Sequence, residues 1–121
     1  MARVLHIAFT LYPVKDMRRA RGFYEKGLGL KPTKNFRGRW IEYHLAGGCF
    51  AITVNGAGAK PRSDAAQIAF EVDDVDAVVK KLRAAGAKVK EEAASGSVCR
   101  MAEVLDPEGN ALTIHAKHRA S

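Results

Sequence analysis

The chain has 121 residues, 47% hydrophobic and 27% charged, with a formal net charge of +7. These values exclude gross disorder and fit one compact domain that buries roughly two-thirds of its unfolded surface. No apolar run approaches the ~18–20 residues of a membrane span, and "MARVLHIAFT" lacks the long apolar stretch of a secretion signal, so a cytoplasmic protein with no membrane partner is expected.

In "HIAFTLY" (6–12), Ile7, Phe9 and Leu11 alternate with His6, Ala8, Thr10 and Tyr12, the period of a strand with one buried face. Asp16 is placed to cap a helix over "MRRARGFYEKG" (17–27), whose Met17, Ala20, Phe23 and Tyr24 form an apolar stripe. "RWIEYHLAGGCFAITVN" (39–55) then reads as strands around a turn-rich "HLAGGC", and "NGAGAKPRSDAA" (55–66) as a linker. "QIAFEV" (67–72) repeats the first strand pattern. Asp74 caps "VDAVVKKLRAAG" (75–86), where Val75, Val78, Val79 and Leu82 recur at helical spacing before Gly86. "RMAEVLDPEGNALTIHA" (100–116) closes the chain with strands around "DPEGN".

The halves are one unit written twice. HIAF matches QIAF, Arg39 matches Arg100, Glu42 matches Glu103, and "AITVN" matches "ALTIH". Each half reads as strand–helix–strand–strand–strand.

The basic residues are dispersed: Arg18, Arg19, Arg21 and Lys26 on one helix, Lys80, Lys81 and Arg83 on the other, Lys117 and Arg119 in the tail. With no aromatic-interleaved or zinc-finger spacing, no nucleic-acid partner is expected, and an anionic small molecule is favoured over one. Cys49 and Cys99 are too far apart for a C-x-x-C pair and read as reduced, half-buried thiols.

The stretches "YPVKDMRRARGFYEKGLGL" (12–30), "IAFEVDDVDAVVKKLRAAGAKV" (68–89) and "DPEGNALTIH" (106–115) resemble the vicinal oxygen chelate superfamily of glyoxalase, bleomycin-resistance and extradiol-dioxygenase proteins. That resemblance implies an α+β fold of two βαβββ modules whose curled mixed sheets surround a cavity. Residues 1–121 then form one domain, with modules at about 1–55 and 67–117. It also implies that sites are completed by two modules, within a chain or across a homodimer, and that metal-dependent members use side chains on the first and last strands of each module.

In the register of the repeat those positions fall on His6, Gln67, Thr53 and Thr113. Anchoring the first strand on Asp16 would place Phe9, not His6, there. The repeat register is adopted because it keeps Ile7, Phe9 and Leu11 on the face of Ile68, Phe70 and Val72, with residues 12–15 as a local insertion. One imidazole, one amide and two hydroxyls lack an anionic ligand and make a poor divalent site, so no metal is expected. If one binds, Glu71 and His115 share the face of Gln67 and Thr113 and complete a set with His6 and Gln67. Glu42 and His44 share one face of another strand.

The expected function is binding of a small organic molecule, with an anionic guest possible, against His6, Tyr12, Thr53, Gln67, Thr113 and His115. Small side chains at Ala69 and Ala111 leave room for it. The alternatives are a metal-dependent lyase, epimerase or dioxygenase using His6, Gln67, Glu71 and His115, and a non-catalytic association subunit. His115 and Glu42 are the catalytic candidates, since an imidazole or carboxylate facing a cavity can move a proton.

Overall fold

The structure, a computed structural model, describes residues 3, 5, 7–54, 60–62 and 67–118. His6 and most of the linker lie outside the described residues. The elements are β1 (Thr10–Pro13), α1 (Met17–Arg21, continued by a π-helical segment Gly22–Gly27), β2 (Lys34–Phe36), β3 (Trp40–Leu45), β4 (Gly48–Thr53), β5 (Ile68–Glu71), α2 (Val75–Ala84), β6 (Lys88–Ser95), β7 (Cys99–Leu105) and β8 (Ala111–Lys117). They form two open four-stranded sheets, ordered β1-β4-β3-β2 and β5-β8-β7-β6. In each, the strand before the helix runs parallel to the last strand of its unit, and the other pairs are antiparallel. This is the α+β arrangement of paired βαβββ units.

Both helices start where a short polar side chain can satisfy a free backbone donor. The Asp16 carboxylate accepts from the Arg19 amide, and Asp74 accepts from Ala77, each at 3.0 Å. Tyr12, Ile41, Tyr43, Phe50 and Ile52 from the first sheet and Phe70, Ala102, Val104, Leu112 and Ile114 from the second share one core with Phe23, Tyr24, Val79 and Leu82 of the helical segments. Phe50 sits at its centre, with ring centroids 5.3 Å from Tyr12, 5.0 Å from Tyr24 and 5.6 Å from Phe70. At Gly27 a Cβ would stand 3.2 Å from the Ala85 Cβ and 3.3 Å from Leu82, so glycine lets the π-helical segment approach α2.

The first strand does not adopt the register of the HIAF/QIAF repeat. The Val14 amide bonds the Thr53 carbonyl as the Val72 amide bonds that of His115, both at 2.8 Å. Counting back from these valines, the counterpart of Gln67 is Phe9 rather than His6. The counterpart of Thr113, which faces Glu103, is Ala51, which faces Glu42. Tyr12 and Val14 are therefore core residues and no insertion occupies 12–15, whereas Ile7 and Phe9 remain 80% and 43% exposed. The helix caps and backbone pairing set the register, and an odd shift moves every side chain to the opposite face.

The "DPEGN" turn joins the two units. Asp106, 3% exposed, accepts from the amides of Glu108 and Asn110 and, at 2.7 Å, from the Tyr24 hydroxyl. The Asn110 side chain donates to the Pro13 carbonyl at 2.8 Å, and Glu108 accepts from the Asp16 amide and pairs with Arg19 at 2.8 Å. These bonds dock the second unit on the start of the first helix.

Candidate functional site

The sheet faces turned away from the helices carry most of the chemistry. On the second sheet Gln67, Ala69 and Glu71 come from the β5 segment, Thr113 and His115 from β8, and Met101 and Glu103 from β7, side by side in register. The Thr113 hydroxyl donates to Gln67 Oε1 at 3.0 Å, and Gln67 Nε2 donates to Glu103 Oε1 at 2.6 Å. Lys90 approaches the same carboxylate at 3.4 Å. Gln67, Thr113, Glu103, Glu91, Met101 and Ala102 line a hollow of about 460 Å³.

One position along, His115 Nδ1 lies 2.6 Å from Glu71 Oε1, and the Lys117 amide donates to Glu71 Oε2 at 2.9 Å. That amide, with the imidazole second, holds the Glu71 carboxyl below its usual range. The pairing fixes one ring nitrogen and leaves Nε2 to other partners. A second cleft, about 610 Å³, runs between the sheets and is bordered by Leu28, Leu30, Phe50, Ile68, Phe70 and Glu71.

The residues singled out by sequence divide into four groups, of which Glu42 on the first sheet is the last. Gln67, Thr113, His115 and Glu71 are brought together on the second sheet. Tyr12 and Thr53 are buried: the Tyr12 hydroxyl accepts from the Ile68 amide and donates to the Ala111 carbonyl, both at 2.7 Å, while Thr53 donates to the Arg39 carbonyl at 3.0 Å. Tyr12 is thus a bond between the units, its hydroxyl already engaged on both sides. Ala111 is also buried, so Ala69 alone of the two alanines contributes open space. His6 lies outside the described residues. Asp106, Asn110 and Tyr24, which bond the two units together, lie outside this set: "DPEGN" carries the signal for the first two, and the sequence shows Tyr24 only as part of an apolar stripe.

Glu42, the other acid–base candidate, stands on the open face of the first sheet. Its Oε2 accepts from the Trp40 indole at 2.9 Å, the main reason its carboxyl is held below the usual range. Its Oε1 lies 3.4 Å from His44 Nε2 and 3.9 Å from Cys49 Sγ, and the ligand atoms of all three lie within 4.8 Å of one another. Burial, then the neighbouring Glu42 charge, raises the Cys49 thiol pKa.

The family-type metal positions do not fit an ion. In the observed register they are Phe9, Ala51, Gln67 and Thr113, an aromatic ring, a methyl, an amide and a hydroxyl, and the last two are already bonded to each other. Neutral donors leave a divalent charge uncompensated. The anionic guest expected from the net charge also meets the wrong lining. Glu91 and Glu103 border the hollow on the second sheet and Glu71 borders the cleft, so the surface charge lies elsewhere.

Comparison with known proteins agrees with this architecture. The family model described as Glyoxalase/Bleomycin resistance protein/Dioxygenase superfamily matches residues 3–114. No curated protein matches the chain. Among solved structures, a glyoxalase-related enzyme from Fulvimarina pelagi has a TM-score of 0.80 at 19% identity, covering 98% of this chain and 100% of that one. TnmS3, an antibiotic-binding protein from Streptomyces sp. CB03234, has a TM-score of 0.78 at 21% identity, with 98% and 100% covered. A lactoylglutathione lyase from Agrobacterium tumefaciens has a TM-score of 0.71 at 17% identity, with 94% and 95% covered. At these identities the likeness is one of fold.

Proposed function

Because the chain belongs to the Glyoxalase/Bleomycin resistance protein/Dioxygenase superfamily, we propose that it is a cytoplasmic protein that binds a small organic molecule on the open face of its second sheet, without a metal at the first- and last-strand positions. The observation that carries this reading is the convergence of Gln67, Thr113 and Glu103 on a hollow of about 460 Å³ beside Met101. A concave site with an apolar floor and a few converging polar groups is the usual form of a small-molecule pocket. Its carboxylates favour a guest with an apolar or aromatic body that offers N–H or O–H donors or a positive charge. The antibiotic-binding protein of similar fold supports a binding role, and the free thiols Cys49 and Cys99 suit a reducing compartment.

A second copy of the chain completes the site. Leu11, Phe36 and Met101 stand 36%, 53% and 46% exposed on the open faces, and pairing two chains covers them. Light scattering at micromolar concentration then gives a dimer mass; a monomer alone contradicts this part. The binding reading is tested by a thermal-shift screen of small aromatic amines and acids. Amines raise the melting temperature of the parent, and the shift collapses in Gln67→Leu and Glu103→Leu, both of which line the hollow. Hits that bind both variants as tightly as the parent overturn the placement.

One observation favours a second reading. The close His115–Glu71 pair resembles an oriented acid–base couple and suits proton-transfer catalysis. Turnover abolished by His115→Leu, with ligand affinity retained, would select it.

A further inference from the structure

We propose that Glu42, His44 and Cys49 form a binding site for one borderline-soft divalent cation of the zinc class, on the β3–β4 hairpin of the first sheet and built from residues other than those at the first- and last-strand positions. The three residues are held by the β3–β4 hairpin. Glu42 and His44 lie two apart on β3 and so share a face, and Cys49 is the cross-strand partner of His44. The hairpin closes through Ala46 and Gly47, with Gly47 at φ +87°, a conformation glycine adopts without a steric cost.

Two of the three ligand-to-ligand distances approach those of a coordination sphere, and all three atoms lie within 4.8 Å of one another. Tetrahedral zinc with its ordinary bond lengths sets nitrogen and carboxylate oxygen about 3.4 Å apart, and sulfur and oxygen about 3.6 Å apart. Here His44 Nε2 is 3.4 Å and Cys49 Sγ 3.9 Å from Glu42 Oε1. Small rotamer adjustments would bring all three atoms onto one ion. A thiolate and a carboxylate supply two negative charges to a dication, the balance that Phe9, Ala51, Gln67 and Thr113 lack. Imidazole, thiolate and carboxylate together select zinc, cobalt or nickel over calcium or magnesium.

The Trp40 indole bonded to the other carboxylate oxygen at 2.9 Å is the outer partner that orients a metal-binding carboxylate. Three protein ligands leave a position open, and one of them, Cys49, also borders the cleft of about 610 Å³. On binding, the Cys49 thiol gives its proton to solvent and the thiolate becomes the ligand.

The test is titration of Co²⁺ into the reduced, untagged full chain, read by the thiolate-to-cobalt charge-transfer band and by proton release in weak buffer. The parent binds one equivalent, develops the band and releases a proton, and Zn²⁺ displaces the cobalt while Mg²⁺ and Ca²⁺ do not. Cys49→Ser and His44→Ala, each checked for folding by circular dichroism, lose the band. Trp40→Phe weakens binding about tenfold. Cys99→Ser binds as the parent does. Absence of the band in the parent, or its survival in Cys49→Ser, overturns the proposal.

Discussion

Tyr12→Phe removes one oxygen atom and should loosen the join between the two units. The ring stays: its T-shaped contact with Phe50 at 5.3 Å needs no hydroxyl. What goes are the bond to the Ala111 carbonyl and the bond from the Ile68 amide, both 2.7 Å long. Each intramolecular bond is worth about 0.5–1.5 kcal/mol net, and a buried group left without a partner costs about 1–3 kcal/mol. The Ala111 carbonyl is in the buried member of this pair, so a loss of about 2 kcal/mol is expected. For a chain of this length that lowers Tm by about 8 °C. Calorimetry measures the total, and native-state amide exchange locates it: the Ile68 amide should lose protection while Val72, bonded to the His115 carbonyl, keeps its own. A Tm shift below about 1 °C with unchanged exchange at Ile68 would refute the idea that this hydroxyl ties the units together.

Two further perturbations bear on the same architecture. Gly27→Ala places a methyl 3.2 Å from the Ala85 Cβ and should destabilise by about 1–3 kcal/mol through overpacking, seen as a lower denaturant midpoint; an unchanged midpoint contradicts the close approach. Acid should also weaken the fold. Burial alone would raise the Glu108 carboxyl, but Arg19 and the Asp16 and Lys15 amides bring it below its usual 4.5. A depressed folded pKa stabilises above the unfolded value, and that contribution is lost as pH falls through the folded one. Tm should therefore decline below about pH 4.5, with a shallower decline in Glu108→Gln; identical slopes would remove Glu108 from the account.

Much of the architecture was legible in the sequence because it rests on local chemistry. Asp16 and Asp74 announce the helices as caps, and the glycine-rich turns announce the hairpins. The matching halves show that one unit occurs twice. The grouping of Gln67, Glu71, Thr113 and His115 followed from strand parity alone, since β5 and β8 are regular and pair without a bulge.

The first strand departs from the repeat register for a physical reason. Ile7, Phe9 and Leu11 carry a stronger apolar alternation than Tyr12 and Val14, yet only the latter face the core. Letter similarity at 6–9 competed with the fixed span between strand and helix cap, and tertiary pairing followed the cap. Tyr12 and Thr53 were hidden as structural residues because their partners, Ala111, Ile68 and Arg39, are brought near only by the fold. The local charge of the hollow was equally invisible: a net charge of +7 says nothing about which side chains line one face.

The central claim is that the open face of the second sheet receives a small organic molecule, and a crystal structure of the chain with its best-stabilising aromatic amine tests it most directly. The account predicts ligand density between Gln67, Thr113 and Met101, with a donor of the guest on Glu103 or Glu91. Density confined to the helix-bearing side, or a hollow filled by the protein's own side chains with the guest elsewhere, would contradict it.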